Sequence, residues 1–386
     1  MAIAVFSLFL ITFCIGTTEF LVAGILPQLA ADLGISVPAA GLVVTVYALG
    51  VAIGGPILTI VTARFPRKTT ILALMVVFVA GHALAAIATT LPVLLVARAM
   101  TGMAHGCLFG LALVVTVGLV PEAMRGRALA LVMAGVTIAN IVGVPLGTLI
   151  GTAFTWRVAF WLLGGVATLA AIAVAVAVPA SGGGERSGVA FRTQFTALLN
   201  AKVLTGFGLV FLSALTLWTT HTFISPILVD VAGIPPAAVA GVLLLFGGGA
   251  TLGIFAGGWL ADRAPNRTIL MSFPLLVVLY VGLLLIRDGT LFATVLFLVG
   301  IAFCILHPPA QNRILLGAAA SPDLASTLIS SIFNLGVALG AAIGSGVLSL
   351  GVDYALLPIV SLITAVLGTG LGVYALAGDR RVPAAA

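Results

Sequence analysis

The chain reads as an all-α membrane protein of about twelve transmembrane helices, arranged in two pseudo-symmetric six-helix bundles. Three observations predict this. Of 386 residues, 62% are hydrophobic and only 7% are charged. The few charges leave gaps long enough to cross a bilayer. Local patterns in the first half recur in the second, 199 residues later. A soluble domain carries roughly 25% charged residues, so this composition cannot cover a water-facing surface. Its solvent is lipid, and a soluble enzyme is excluded.

A span needs about 20 apolar residues. The first candidate, 3–26, has no basic leader and no small-residue cleavage site ahead of Pro27, so it is expected to be retained as a span. The second, 39–62, ends at the charged loop Ala63-Arg64-Phe65-Pro66-Arg67-Lys68. The third is 69–90, and the fourth, 92–119, opens on Pro92 and carries Arg98 and His105. The fifth, 128–153, follows Arg125-Gly126-Arg127 and bears Gly135, Ala139, Gly143, Gly147 and Gly151 at strict four-residue spacing, with Pro145 among them. Such a stripe lets another helix approach closely and slide, which makes Gly143, Pro145 and Gly147 candidates for conformational gating; ordinary close packing explains them as well. The sixth span is 158–179.

A Gly-rich, charged stretch then divides the chain into an N-terminal bundle (1–180), a cytoplasmic linker (181–202) and a C-terminal bundle (203–386). Spans 203–226, 237–261, 268–286, 290–312, 325–350 and 354–377 complete the count. Pro226 closes the seventh as Pro27 closes the first, and Asp262-Arg263-Ala264-Pro265-Asn266-Arg267 follows the eighth as the corresponding loop follows the second. Both pairs stand at the same offset, which favours duplication and an expected site between the halves near the midplane. The eleventh span repeats the glycine stripe with Gly336, Gly340 and Gly344, after Asn334.

The net charge of +6 is a topology signal. With both termini on one side, that side collects Arg64, Arg67, Lys68, Arg125, Arg127, Arg186, Arg192, Lys202, Arg263, Arg267, Arg313, Arg380 and Arg381, against Arg157 and Arg287 opposite. Basic residues stay cytoplasmic, so both termini are expected in the cytoplasm of a bacterial inner membrane, with no nucleic-acid partner implied. Cys14, Cys107 and Cys304 fall inside apolar runs and read as small hydrophobes; no metal or cofactor is expected.

Two formal charges lie deep inside spans, and topology does not explain them: Glu19 and Arg98. An intramembrane charge costs roughly 2.5–3.5 kcal/mol on insertion scales, so it needs a partner or a watery cavity. Glu19 stands about 12 Å inward of Pro27 and Arg98 about 9 Å inward of Pro92, from the same face. One reading is that Glu19 takes and releases a proton in competition with a substrate, with Arg98 beside it; the other is a fixed ion pair. Arg98 itself cannot carry the proton. His105 lies two turns from Arg98 on the same face, with Phe109 one turn further, as a cavity-lining stripe would. It is a second proton candidate or a hydrogen-bonded structural histidine. Thr18, Asn140, His221 and Asn334 could contact substrate, or bond to backbone and neighbouring helices. His82 and His307 are weaker candidates, the latter expected to cap a helix broken by Pro308-Pro309. Phe13, Phe20, Trp218 and Phe223 read as lipid-facing or packing residues.

Several motifs resemble the major facilitator superfamily, and within it the drug:proton antiporter branch. Gly257–Arg267 (GGWLADRAPNR) is similar to its loop motif, Arg98-Ala-Met-Thr-Gly102 to its fourth-span arginine motif, Gly143-Val-Pro-Leu-Gly147 to the antiporter signature, and Thr155–Phe160 to the usual start of span six. Ile15–Ala30, His105-Gly106 and Phe333–Ala341 resemble the arabinose-efflux-permease and chloramphenicol-exporter subgroup. The resemblance implies a major facilitator fold and proton-coupled export of a small neutral or weakly charged molecule, such as a drug, sugar or nucleoside, by a monomer. It casts Asp262 and Arg263, with Arg267, as a clamp that holds helices in one conformer; a plain role as topology determinants and helix caps stands beside it. Thr59 and Ala63 replace the family's glycine and aspartate in the first-half loop, and Val144 stands where the signature often has glycine. The alternative is an uncoupled facilitator or an importer. No phosphate loop, HExxH or G-x-S-x-G pattern points to an ATP-driven pump or an enzyme.

Overall fold

The computed structural model describes residues 2–180, 196, 198–319 and 321–379. Most of the expected linker, Arg186, Arg192, Arg380 and Arg381 lie outside the described residues. Among the described residues, twelve helices are long and apolar enough to span a bilayer, and there is no strand. In order they are α1 Ala2–Asp32, α2 Val37–Thr62, α3 Arg67–Ala86, α4 Leu91–Leu119, α5 Glu122–Ala153, α6 Trp156–Ala177, α7 Ala201–His221, α8 Pro236–Arg263, α9 Pro265–Leu285, α10 Gly289–Gly317, α11 Leu324–Ser349 and α12 Tyr354–Gly378.

The ends follow ordinary capping chemistry. Ser36, Asn200, Asp288 and Asp353 each accept a backbone N–H from the turn they precede. Gly34 and Gly233, 199 positions apart, both turn the chain with a left-handed φ, at 63° and 65°. The prolines are less decisive than expected. α1 runs straight through Pro27 to Asp32, giving up one backbone bond near its end. α7 instead stops at His221 and continues as the short segment Ile224–Pro226 and a wide turn over Ile227–Val231. Wide turns also interrupt α2 at Gly50–Gly54 and α5 at Ala139–Gly143. Each leads into a proline, Pro56 or Pro145, whose ring cannot sit against the carbonyl four residues back.

The chain forms two compact units. The first holds α1–α6 with Ile224–Pro226 and Pro235–Leu244; the second holds α7, Ile227–Ile234, and the helices from Leu245 onward. In the first, Leu8, Ile11 and Ile15 of α1 pack with Met75 and Phe78 of α3, Leu108 of α4 and Val132 of α5. In the second, Trp218, Phe223, Phe273, Tyr280 and Phe292 are fully buried, so Trp218 and Phe223 are packing residues and not lipid-facing.

Lipid tails are as apolar as leucine, so close backbone approach and interhelical hydrogen bonds hold such bundles together. A Cβ on Gly135 or Gly143 would stand 2.1 Å from Thr12 Oγ1 or Thr17 Oγ1, which fixes α5 against α1. A Cβ on Gly336, Gly340 or Gly344 would meet the carbonyls of Phe211, Leu215 and Thr219 at 2.5–2.9 Å, fixing α11 against α7. The same equivalence joins α2 to α4 and α8 to α10. Gly50 and Gly102 abut the backbone of Ala99 and Tyr47, while Gly249, Gly253 and Gly257 abut the carbonyls of Phe297, Ile301 and Ile305. Hydroxyls add to this in the second unit, where Thr216 bonds Thr364 and Thr220 bonds Ser361 between α7 and α12. Arg313 is buried, donating to Thr205 Oγ1 and the Ala375 carbonyl, so it ties α10 to α7 and α12 and is not the loop charge the sequence suggested.

Candidate functional site

Glu19 of α1 and Arg98 of α4 are both buried in the first unit, and Arg98 is only 1% exposed. They lie within Coulombic reach of each other but do not form an ion pair; among the described residues the one ion pair is Arg157 with Asp32. The fixed-pair reading is therefore not what this conformation holds. Arg98 is satisfied by neutral groups. Nη1 and Nη2 both donate to the Thr18 carbonyl at 3.3 Å, and Nε donates to the Val43 carbonyl at 3.3 Å. The guanidinium carbon lies 3.9 Å from the centroid of the Tyr47 ring. Glu19 Oε1 is buried without a hydrogen-bond partner.

Around this pair the polar contacts form a connected chain. Tyr47 Oη and His105 Nδ1 are 2.8 Å apart. On the other side, His82 Nδ1 lies 2.9 Å from the Phe78 carbonyl, which can only accept, so Nδ1 carries the hydrogen. His82 Nε2 then accepts from the Thr18 hydroxyl at 2.9 Å. Four helices, α1 to α4, thus converge on Thr18, Glu19, Tyr47, His82, Arg98 and His105. The arrangement sets a buried carboxyl beside a guanidinium that neutral groups already engage.

The other expected residues take varied places. Phe109 is partly buried and packs on the apolar core of the first unit. Asn140 is half-buried in the wide turn of α5 and donates to the Val136 carbonyl. Gly143 and Gly147 face Thr17 and Leu21 of α1, one on each side of Glu19 in sequence, with Pro145 buried between them. In the second unit, the His221 ring lies tilted against Phe246, with centroids 4.5 Å apart, and meets Trp218 edge-on. Asn334 donates to the Ser330 carbonyl and leaves Oδ1 buried without a partner. His307 opens the second piece of α10 but makes no capping bond; Leu306 is the cap, and His307 lies edge-on to Phe303. Asp262, Arg263 and Arg267 are exposed; Arg263 folds over Trp259 of its own helix and makes no ion pair with Asp262. Sequence reasoning missed Tyr47 altogether and ranked His82 low. The available signal was a lone tyrosine in the middle of an apolar span, where the hydroxyl must find a partner.

The sequence model of the Major Facilitator Superfamily matches residues 8–345. The chain belongs to that superfamily. It is a multi-pass membrane transporter, with a small molecule as cargo and the bilayer as its surroundings. Among relatives in this superfamily, the inner membrane transport protein YdhP of Escherichia coli K12 is 35% identical over 354 residues, spanning 92% of this chain and 90% of that protein. The chloramphenicol resistance protein of Streptomyces lividans is 32% identical, spanning 86% and 85%. A bacterial homologue of the human lysosomal transporter Spinster, solved by crystallography, has the same fold, with a TM-score of 0.76 at 15% identity over 99% of this chain and 98% of that one.

Proposed function

We propose that this superfamily member is a proton-coupled antiporter that exports a small neutral or weakly charged molecule by alternating access, with Glu19 as the group that binds and releases the coupling proton. The observation that carries the reading is Glu19 itself: a buried carboxyl with an oxygen left without a partner, beside an arginine held by neutral groups. A carboxyl can hold a proton or, as the carboxylate, accept a donor group from a substrate, so the two can compete for this position. His105, bonded to Tyr47 at the same site, is the second candidate on the proton's route. Thr18, Phe109, Asn140, His221 and Asn334 are proposed to line the substrate's path, and the α5 glycines with Asp262, Arg263 and Arg267 to govern the change of conformer. The protein acts as a monomer in the inner membrane with both termini in the cytoplasm.

The name of the Streptomyces lividans relative puts a phenicol among the compounds to screen, with sugars, nucleosides and lipophilic monocations. In vesicles loaded with a pH-sensitive dye, at least one of these compounds should trigger proton movement through the wild type and not through Glu19→Gln. An uncoupled pore needs no membrane carboxyl. No proton movement with any compound, or equal movement in the variant, would favour the facilitator.

A further inference from the structure

Arg98 has two possible kinds of partner within reach, the Glu19 carboxylate and the neutral set it occupies here. Two members of the neutral set, the Thr18 and Val43 carbonyls, are backbone and are present whatever the side chains. The third is the face of Tyr47, 1% exposed and 3.9 Å from the guanidinium carbon. Both groups are buried in either arrangement, so the cost of desolvating them is common to the two and does not set the choice. An aromatic face holds a desolvated cation by about 2 kcal/mol or more, and the ring is the one member of the neutral set that a substitution removes. Tyr47 is itself fixed at both ends. Its hydroxyl meets His105 Nδ1, and its carbonyl lies where a Cβ on Gly102 would stand 2.2 Å away, so α2 is seated on α4 without slack.

We propose that Tyr47 is a positioning residue that holds Arg98 against its ring, unpaired with Glu19, and thereby keeps the Glu19 carboxyl open to a proton or to substrate. This deepens the proton-coupling reading by naming what decides Arg98's partner. The ring governs Arg98, and the hydroxyl governs the His105 side chain. Without the ring, Arg98 turns to Glu19 and the carboxyl is closed by an ion pair.

The test uses the full-length protein in detergent or vesicles and needs no substrate. A hydrophobic carbodiimide modifies neutral carboxyls in apolar surroundings, and mass spectrometry reads the adduct on Glu19. Wild type and Tyr47→Phe should label alike. Tyr47→Leu and Tyr47→Met should label about thirtyfold less, the size expected for losing one desolvated cation–π contact. Adding Arg98→Gln to Tyr47→Leu should restore labelling, because the competing cation is gone. A merely structural role predicts the opposite sign, since loosening exposes Glu19 to reagent. The proposal is overturned if wild-type Glu19 does not label, if the Leu and Met variants label like wild type, or if Arg98→Gln fails to restore the adduct. Its failure is separable from that of proton coupling: labelling can follow this pattern in a protein that moves no protons, and a coupled transporter can label without regard to residue 47.

Discussion

Thr18 meets two neighbours with two different atoms. Its carbonyl takes both terminal nitrogens of Arg98, and its hydroxyl donates to His82. Thr18→Val keeps the shape and the carbonyl but leaves His82 Nε2 buried with no donor. The expected loss is about 1–3 kcal/mol of stability, read as a lower melting temperature in detergent, with Thr18→Ser close to wild type. Glu19 and Arg98 were legible in the sequence because a charge inside an apolar run stands out. Tyr47 was not, because a tyrosine counts as hydrophobic in the same run and nothing local says which cation will lie on its ring. The depths of Glu19 and Arg98 could be read from helix rise. Whether they would touch could not, since that depends on how α1 and α4 are rotated about their axes.

Helices in this protein meet where side chains are missing. A Cβ on Gly147 would come closest to Cδ1 of Leu21, at 2.6 Å and at the end of a flexible side chain, whereas one on Gly336 would lie 2.5 Å from the Phe211 backbone carbonyl. Gly147→Ala should cost less than about 1 kcal/mol and Gly336→Ala about 1–3 kcal/mol, because a rotamer can yield and a packed backbone cannot. Equal melting temperatures for the two variants would count against this account of the helix contacts. The α5 and α11 stripes were readable, since each lies on one helix at regular spacing. The α2–α4 contact was harder to see, because Gly50 and Gly54 on one helix interleave with Gly102 and Gly106 on the other. The wide turns in α2 and α5 show in sequence only as a proline, which cannot say whether a helix will bend, widen or, as at Pro27, carry on.

Across the whole molecule the glycine contacts of the first half recur in the second, while the carboxyl of α1 does not. At the 199-residue offset Gly34, Gly50 and Gly54 face Gly233, Gly249 and Gly253, so the turns and close contacts recur. The same offset sets Glu19 against Trp218 and Tyr47 against Phe246, so the second half has apolar rings where the first has its carboxyl and hydroxyl. Orientation belongs to this scale too, and the count of basic residues predicts both termini in the cytoplasm. The native cysteines are buried, so single introduced cysteines report cleanly. In intact cells an impermeant maleimide should label Thr90→Cys and spare Arg64→Cys, and the reverse pattern would invert the topology.

The central claim, that Glu19 carries the coupling proton, is tested most directly by comparing two transport modes in one set of vesicles, using a compound found to move protons. Glu19→Gln should still exchange labelled for unlabelled substrate but should no longer accumulate it against a gradient when a pH difference is imposed. Accumulation by the variant at the wild-type level would contradict the account.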